Sequence, residues 1–136
     1  MKISLCPFLF ILILINSCTS QSDKNFKKFT LQGEITGQDS GIIIIKYAPD
    51  TTLICDTAKI KNGKFVFTGK IFEPTRADLF GENNLNTVVI YLEPQKMEIS
   101  LTRDKFKECK MIGSKTQNDF DLLNKMERSF SERLFW

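Results

Sequence analysis

No histidine occurs among the 136 residues of the chain. Histidine is the most common general base of enzymes and completes the Ser/His/Asp and Cys/His nucleophile arrangements, and it is a frequent ligand of zinc and haem iron. Its absence excludes those hydrolase arrangements and most zinc, iron and haem sites. A Cys-x-x-Cys motif is also absent, which excludes dithiol-disulfide chemistry with adjacent thiols.

The chain has no strong excess of either charge. It carries 19 Lys and Arg residues against 16 Asp and Glu residues, so nothing in the composition demands a nucleic acid or an anionic surface. A glycine-rich phosphate loop followed by lysine and a dinucleotide-binding fingerprint are missing as well. We therefore expect a protein that is not an enzyme, holds no cofactor or metal and binds no nucleic acid.

The apolar N-terminus is too short for a membrane-spanning helix, which needs about 20 consecutive apolar residues. It follows the single basic residue Lys2 and ends in the lipobox-like tetrapeptide Ile15-Asn16-Ser17-Cys18. This order is typical of a signal peptide. We expect residues 1–17 to be removed and Cys18 to carry a lipid; a plain cleaved signal and an uncleaved anchor are the alternatives.

Residues 18–27 are predicted to form a flexible polar tether, because they are too hydrophilic to contribute much to a core. The expected location is the bacterial cell envelope, with the lipid in the outer membrane and the protein facing the periplasm. The membrane is then the first partner, through the lipid, and a protein of the envelope is a possible second one.

Two cysteines remain for the folded body, Cys55 and Cys109, since Cys6 falls in the signal peptide. Exported proteins fold in an oxidising compartment, where these two could form a disulfide. Two separate thiols packed as small apolar side chains are the alternative. A redox function would need both sulfurs adjacent and partly exposed.

Short runs rich in Ile, Val, Phe and Thr, separated by Gly and Pro, fill residues 28–114. Such spacing predicts an all-β domain, and we expect an antiparallel β-sandwich of seven to eight strands. Its best-defined hairpin lies at Asn62-Gly63, two residues that readily take the positive φ of a type I′ turn.

Residues 42–45 and 88–92 are apolar at every position, so both faces of these two strands need cover. The C-terminal segment, residues 115–136, is predicted to be an amphipathic helix. Its apolar stripe consists of Phe120, Leu123, Met126 or Glu127, Phe130 and Leu134. We expect this helix to pack on the sheet; the alternative is that the strands or the helix meet a partner protein.

The order of residues resembles a known family. The pattern comprises Phe29-Thr30-Leu31-x-Gly33-x-Ile35-x-Gly37, then Asp56-Thr57-Ala58-x-Ile60-x-Asn62-Gly63-x-Phe65-x-Phe67-x-Gly69, Leu92-Glu93-Pro94 and Ile112-Gly113-Ser114. It is similar to the β-rich domain of unknown function at the N-terminus of thioredoxin-like lipoproteins of Bacteroidetes, the TlpA/ResA-type thiol-disulfide oxidoreductases. In this chain the C-terminal helix would begin the linker to a thioredoxin-like domain, but residues 1–136 contain no Cys-x-x-Cys of such a domain. We expect either a stand-alone relative or the N-terminal piece of a longer redox lipoprotein.

The resemblance implies a lipid-anchored envelope module that accompanies a redox domain and has no catalytic residues of its own. The leading hypothesis is a non-catalytic module acting in binding or scaffolding. The alternative is a stand-alone lipoprotein that binds a small ligand or a glycan with loops such as Gly81 to Asn86.

Overall fold

The computed structural model of the protein describes residues 25–83 and 85–134. The predicted signal peptide and Cys18 lie outside these residues. The described chain forms eight strands, one short 3₁₀ helix and one α-helix. These are β1 Lys27–Thr36, β2 Ser40–Tyr47, β3 Ile54–Lys61, β4 Lys64–Ile71, β5 Thr75–Phe80, β6 Thr87–Leu92, β7 Lys96–Thr102, the 3₁₀ helix Phe106–Glu108, β8 Lys110–Ile112 and α1 Lys115–Leu134.

All eight strands belong to one sheet, in the order β6-β5-β2-β3-β4-β1-β7-β8. Every neighbouring pair is antiparallel except β1 and β7, which run parallel from Thr30 beside Lys96 to Thr36 beside Thr102. The predominantly β fold with eight strands and a C-terminal helix is thus confirmed. The sheet is mixed, so the prediction of a purely antiparallel one is wrong, and a sandwich of two sheets is not confirmed.

The sheet curls into a half-barrel. Strands β6 and β7 lie six places apart in the sheet order, yet only residues 93–95 connect them. A connection of this length spans no more than about 14 Å. The edge strand β6 must therefore curve round until its end lies near β7, with the sheet wrapped around the core.

The core fills the concave side of the half-barrel. Alternate residues of β1, β4 and β7 are buried there, as expected for strands with one covered face. The predicted turn of the β3–β4 hairpin is confirmed, because Asn62 has a φ of 51° and Gly63 a φ of 72°. The core consists of Phe29, Leu31, Ile35, Ile43, Ile45, Tyr47, Ile60, Phe65, Phe67, Ile71, Ala77, Leu79, Ile90, Leu92, Met97, Ile99, Leu101, Phe106 and Met111.

The continuous apolar run of β2 serves both faces of the sheet. Ile43 and Ile45 are fully buried in the core, whereas Ile42 and Ile44 are half-buried on the convex face. There Ile44 lies directly opposite Phe80 of β5, so the convex side chains partly cover one another. No helix is needed to cover β2.

Helix α1 covers much less of the sheet than expected. Its Phe120 packs against Tyr91 of β6 with ring centroids 5.2 Å apart. Beyond this contact, the predicted stripe residues are exposed, among them Leu123, Met126 and Phe130. The prediction that the whole stripe packs on the sheet is therefore wrong. Within the described residues, none of the helices is long and apolar enough to cross a membrane.

Candidate binding groove

A groove of about 780 Å³ separates the edge strand β6 from helix α1. We call it the β6 groove. Its floor is the outer edge of β6, one wall is the side of α1 that runs from Gln117 to Glu132, and the other wall follows the 3₁₀ helix. The residues that line it are Thr87, Val88, Val89, Lys107, Cys109, Gln117, Phe120, Asp121, Asn124, Lys125, Arg128, Ser129 and Glu132.

The floor of the groove presents unpaired backbone groups. Tyr91 donates its backbone N–H to Oε1 of Gln117 at 2.8 Å, so the backbone of Tyr91 points away from β5. Along a strand, every second residue directs its N–H and C=O to the same side. Val89 and Thr87 therefore point the same way, and among the described residues their outward groups have no hydrogen-bond partner.

At the Tyr91 end of this edge, Ser114 and the first turn of α1 bind the backbone groups that a neighbouring strand would otherwise bind. Ser114 donates its Oγ–H to the carbonyl of Tyr91 at 2.8 Å, and its Oγ accepts the N–H of Gln117 at 3.1 Å. Glu93 Oε1 accepts the backbone N–H and the hydroxyl of Thr116 at 2.8 and 2.9 Å. Hydrogen-bonding groups of the sheet edge and of the helix N-terminus are thus paired with one another, and this pairing fixes where α1 begins.

The sequence pattern predicted a helix over residues 115–136 but did not reveal these roles of Ser114, Thr116 and Gln117. The available signal was Ser114-Lys115-Thr116-Gln117, which has the Ser-x-x-Gln spacing of a capping box. The structure departs from the usual capping box in one respect. Gln117 is nearly fully buried, and its side chain reaches to β6 and to Asp121 rather than back to the cap.

The other wall is held by the 3₁₀ helix Phe106–Glu108. Phe106 is buried in the core and donates its backbone N–H to Oδ1 of Asn86 at 2.9 Å. This contact brings Lys107 and Cys109 beside the start of β6. The open stretch of the edge, Thr87 to Val89, therefore lies between two fixed points.

The side chains of the groove carry both charges. Lys107, Lys125 and Arg128 are balanced in part by Asp121 and Glu132. Burial raises the pKa of the Cys109 thiol, and the negative charge of Asp121 raises it further. A thiol with a raised pKa stays protonated at neutral pH and is a poor nucleophile.

The structure does not bring Cys55 and Cys109 together. Both are free thiols: Cys55 is exposed on β3, and Cys109 is half-buried between the 3₁₀ helix and β8. Strands β3 and β8 are not neighbours in the sheet. Of the two arrangements left open by the sequence, the structure has separate thiols.

The loop cleft considered for a small ligand or a glycan lies at one end of the half-barrel. It encloses about 660 Å³ and is lined by Gly37, Gln38, Asp39, Ser40, Gly81, Glu82, Asn83, Asn86, Arg103 and Asp104. None of these is aromatic, so the cleft offers no ring for stacking on a sugar. Asn86 Oδ1 is also already occupied by Phe106 N–H. In the part of the chain that the structure describes, no group of three His, Cys, Asp or Glu residues is placed to hold a metal ion.

Comparison with known proteins identifies the family. Neither a curated protein nor a solved structure matches the chain. Residues 29–120 match the family described as a domain of unknown function, DUF4369. The matched segment is more than half of the chain and contains all eight strands except the first two residues of β1, together with Gln117 and Phe120 of the β6 groove. The protein therefore belongs to the DUF4369 family.

Proposed function

We propose that the protein is a non-catalytic, lipid-anchored module of the bacterial cell envelope that binds an extended segment of another protein along β6. The observation that carries this proposal is the open backbone edge at Thr87 and Val89, lying at the floor of the β6 groove. An extended peptide can add to such an edge as a further strand, with main-chain hydrogen bonds supplying affinity and side-chain pockets supplying specificity.

The walls of the groove favour a peptide over a compact ligand. The edge of β6 is open from Thr87 to Val89, between the 3₁₀ helix and α1, and Val88, Val89 and Phe120 offer apolar contacts beside the backbone groups. Lys107 lies on the wall of the 3₁₀ helix, whereas Asp121 and Arg128 lie on the wall of α1. An entering strand would place its backbone against Val89 and direct alternate side chains to the two faces of the sheet.

Binding rather than catalysis also agrees with the titratable groups. The hydroxyl of Tyr47 has its pKa raised by burial and secondarily by Asp56, and the Cys109 thiol has its pKa raised by burial. Both shifts keep the groups protonated, which is the opposite of what activates a nucleophile. The absence of histidine removes the usual base that would compensate.

Attachment to the membrane rests on Cys18 and its lipobox-like context. A Cys18→Ala variant should leave the membrane fraction and appear in the soluble envelope fraction, because its single lipid site is removed. A Cys55→Ala variant is the control and should remain in the membrane fraction. If Cys18→Ala stays with the membrane after a carbonate wash, lipid anchoring through this residue is wrong.

The anchored module is proposed to accompany a thiol-disulfide oxidoreductase, as the resemblance to thioredoxin-like lipoproteins implies. The free thiols and the lack of Cys-x-x-Cys fit an accessory role, in which the redox chemistry is done elsewhere.

Peptide binding is tested by selecting ligands for the full chain from a phage library of random ten-residue peptides. Val89→Pro removes the outward N–H at an edge position that tolerates proline, whereas the matched Val89→Ala keeps it. We expect Val89→Pro to weaken binding of a selected peptide about 10-fold, as for the loss of one or two hydrogen bonds. Val89→Ala should retain most of the affinity.

A second arm uses the peptide instead of the protein. N-methylation of alternate backbone amides removes the donors facing β6 in one register and leaves the other register intact, so only one of the two methylated peptides should lose binding. Two results together would contradict the addition of a strand to β6. Both methylated peptides would bind the native chain as tightly as the unmethylated peptide does, and Val89→Pro would bind the unmethylated peptide as tightly as the native chain does.

A further inference from the structure

Helix α1 presents an apolar stripe to solvent, on the side that faces away from the sheet. Leu123, Met126, Phe130 and Leu134 are 61%, 47%, 59% and 82% exposed. With 3.6 residues per turn, this stripe lies about 160° around the helix axis from the residues that face the β6 groove. The groove-facing residues are largely polar, among them Gln117, Asp121, Asn124 and Arg128.

The sheet therefore contacts α1 through Gln117 and Phe120, and the side that carries the stripe is left uncovered. After Phe120 the described helix continues for more than three turns with little packing against the sheet. Helices of this length are marginal in water unless their apolar face is covered. A contiguous exposed stripe of this kind typically marks an interaction surface.

We propose that this stripe pairs with the same stripe of a second copy of the chain, with the two α1 helices antiparallel. The charges at its two ends select this partner and this direction. Asp119 lies on the stripe side near the N-terminus of α1, and Arg133 lies on the stripe side near the C-terminus, over the ring of Phe130 at 6.0 Å. Antiparallel pairing sets Asp119 of each copy against Arg133 of the other. Parallel pairing would set like charges together.

The same register matches the apolar side chains. With Met126 near the two-fold axis, Leu123 of one copy meets Phe130 of the other. Glu127 lies at the margin of the stripe near the same axis, so its two copies repel weakly. Replacing it by glutamine should strengthen the pair.

The pairing is modest in size. Four apolar side chains from each copy bury on the order of 1,000 Å² in total, at the low end of specific interfaces. A pairing of this size is expected to be reversible.

Disulfide trapping in membrane vesicles tests the proposal on the full-length chain. The background carries Cys55→Ser and Cys109→Ala, and Cys18 is kept. Met126→Cys should crosslink with itself under mild oxidation, because the two copies of position 126 meet at the axis. Leu123→Cys alone should not, since its two copies lie roughly 10 Å apart along the helix and a disulfide needs closer Cα atoms. Leu123→Cys co-expressed with Phe130→Cys should give the mixed crosslink.

Lys125→Cys is the matched control, because position 125 is exposed on the same helix but away from the stripe. Its crosslinking reports random collision. If none of the stripe variants crosslinks more than Lys125→Cys, pairing with a second copy is wrong. If Leu123→Cys crosslinks with itself as efficiently as Met126→Cys, the antiparallel direction is wrong.

Charge exchange gives an independent readout in the Met126→Cys background. Asp119→Arg and Arg133→Asp should each reduce the crosslinked fraction about 5-fold, because each creates a like-charge contact at both ends. The double variant should restore it. A double variant that crosslinks no better than the single variants would overturn the charge pairing.

Discussion

The apolar residues of β4 and those of α1 reach opposite environments. Phe67 of β4 is 2% exposed and packs within the half-barrel, whereas Phe130 of α1 is 59% exposed. Both belong to regular apolar patterns, with a period of two on the strand and of three to four on the helix. Periodicity thus identifies an apolar face but does not say whether the same chain covers it.

The largest effect should come from removing the phenylalanine ring at position 67, and the same substitution at position 130 gives the contrast. Phe67→Ala leaves a cavity in the core and should lower the free energy of unfolding by about 4 kcal/mol. Phe130→Ala should lower it by less than about 0.5 kcal/mol in the monomer, as for a surface substitution. Urea unfolding of the two variants at a concentration too low for association measures the contrast. Equal losses would show that α1 is covered within one chain.

A smaller effect is expected where a side chain is added instead. Gly33 of β1 lies directly opposite Phe65 of β4, and the ring of Phe65 occupies the space where a Cβ would sit. Gly33→Ala should therefore displace a buried ring and cost about 2 kcal/mol. At Gly81 an added Cβ would make only ordinary contacts of 3.5 Å or more, so Gly81→Ala serves as the control. If thermal unfolding shows equal losses, the covered position tolerates filling and the packing of Phe65 is loose.

The strands were predictable because the alternation of apolar and polar residues is a local signal, contained within each strand segment. Asn62-Gly63 could be placed for the same reason, since its two residues alone determine the turn. The parallel pairing of β1 and β7 has no such signal. It depends on a short connection that crosses between strands six places apart in the sheet, which no window of sequence contains.

The candidate groove was harder to predict than the sheet. Val89 looks like any buried strand residue, and only the position of β6 at the edge exposes its backbone. Ser114 and Gln117 did carry a local signal, their capping-box spacing, but nothing local indicates that Gln117 bonds to Tyr91, 26 residues earlier. Most of the stripe of α1 was assigned to the wrong surface, because the helix meets the sheet through Gln117 and Phe120 and leaves the later stripe residues exposed.

The buried amide of Gln117 tests the boundary between the covered and the uncovered parts of α1. Gln117→Leu keeps much of the volume but leaves the N–H of Tyr91 without an acceptor, which should cost about 1.5 kcal/mol. Asn118→Leu, at the exposed neighbour, is the control and should change stability little. Hydrogen exchange of Tyr91 N–H measures the loss directly. Unchanged protection of this amide in Gln117→Leu would mean that the helix does not seal the edge.

The smallest effect concerns the two thiols, one covered and one not. Cys55 is exposed, whereas Cys109 is half-buried and has its pKa raised by burial and by Asp121. Cys109 therefore holds its proton more tightly in the folded chain than in the unfolded chain. Its contribution to stability is intact below the unfolded pKa, about 8.5, and is lost as the pH rises through the higher folded value.

The raised pKa of Cys109 leads to two expected results. At pH 8 iodoacetamide should label Cys55 at least about 10-fold faster than Cys109, since thiolate and access are both scarce at Cys109. Between pH 8 and 10 the native chain should lose slightly more stability than a Cys109→Ala variant, which lacks the group whose proton is held. Equal labelling rates would place Cys109 in solvent with Cys55. They would also contradict the half-buried position of Cys109 between the 3₁₀ helix and β8, where it helps to line the β6 groove.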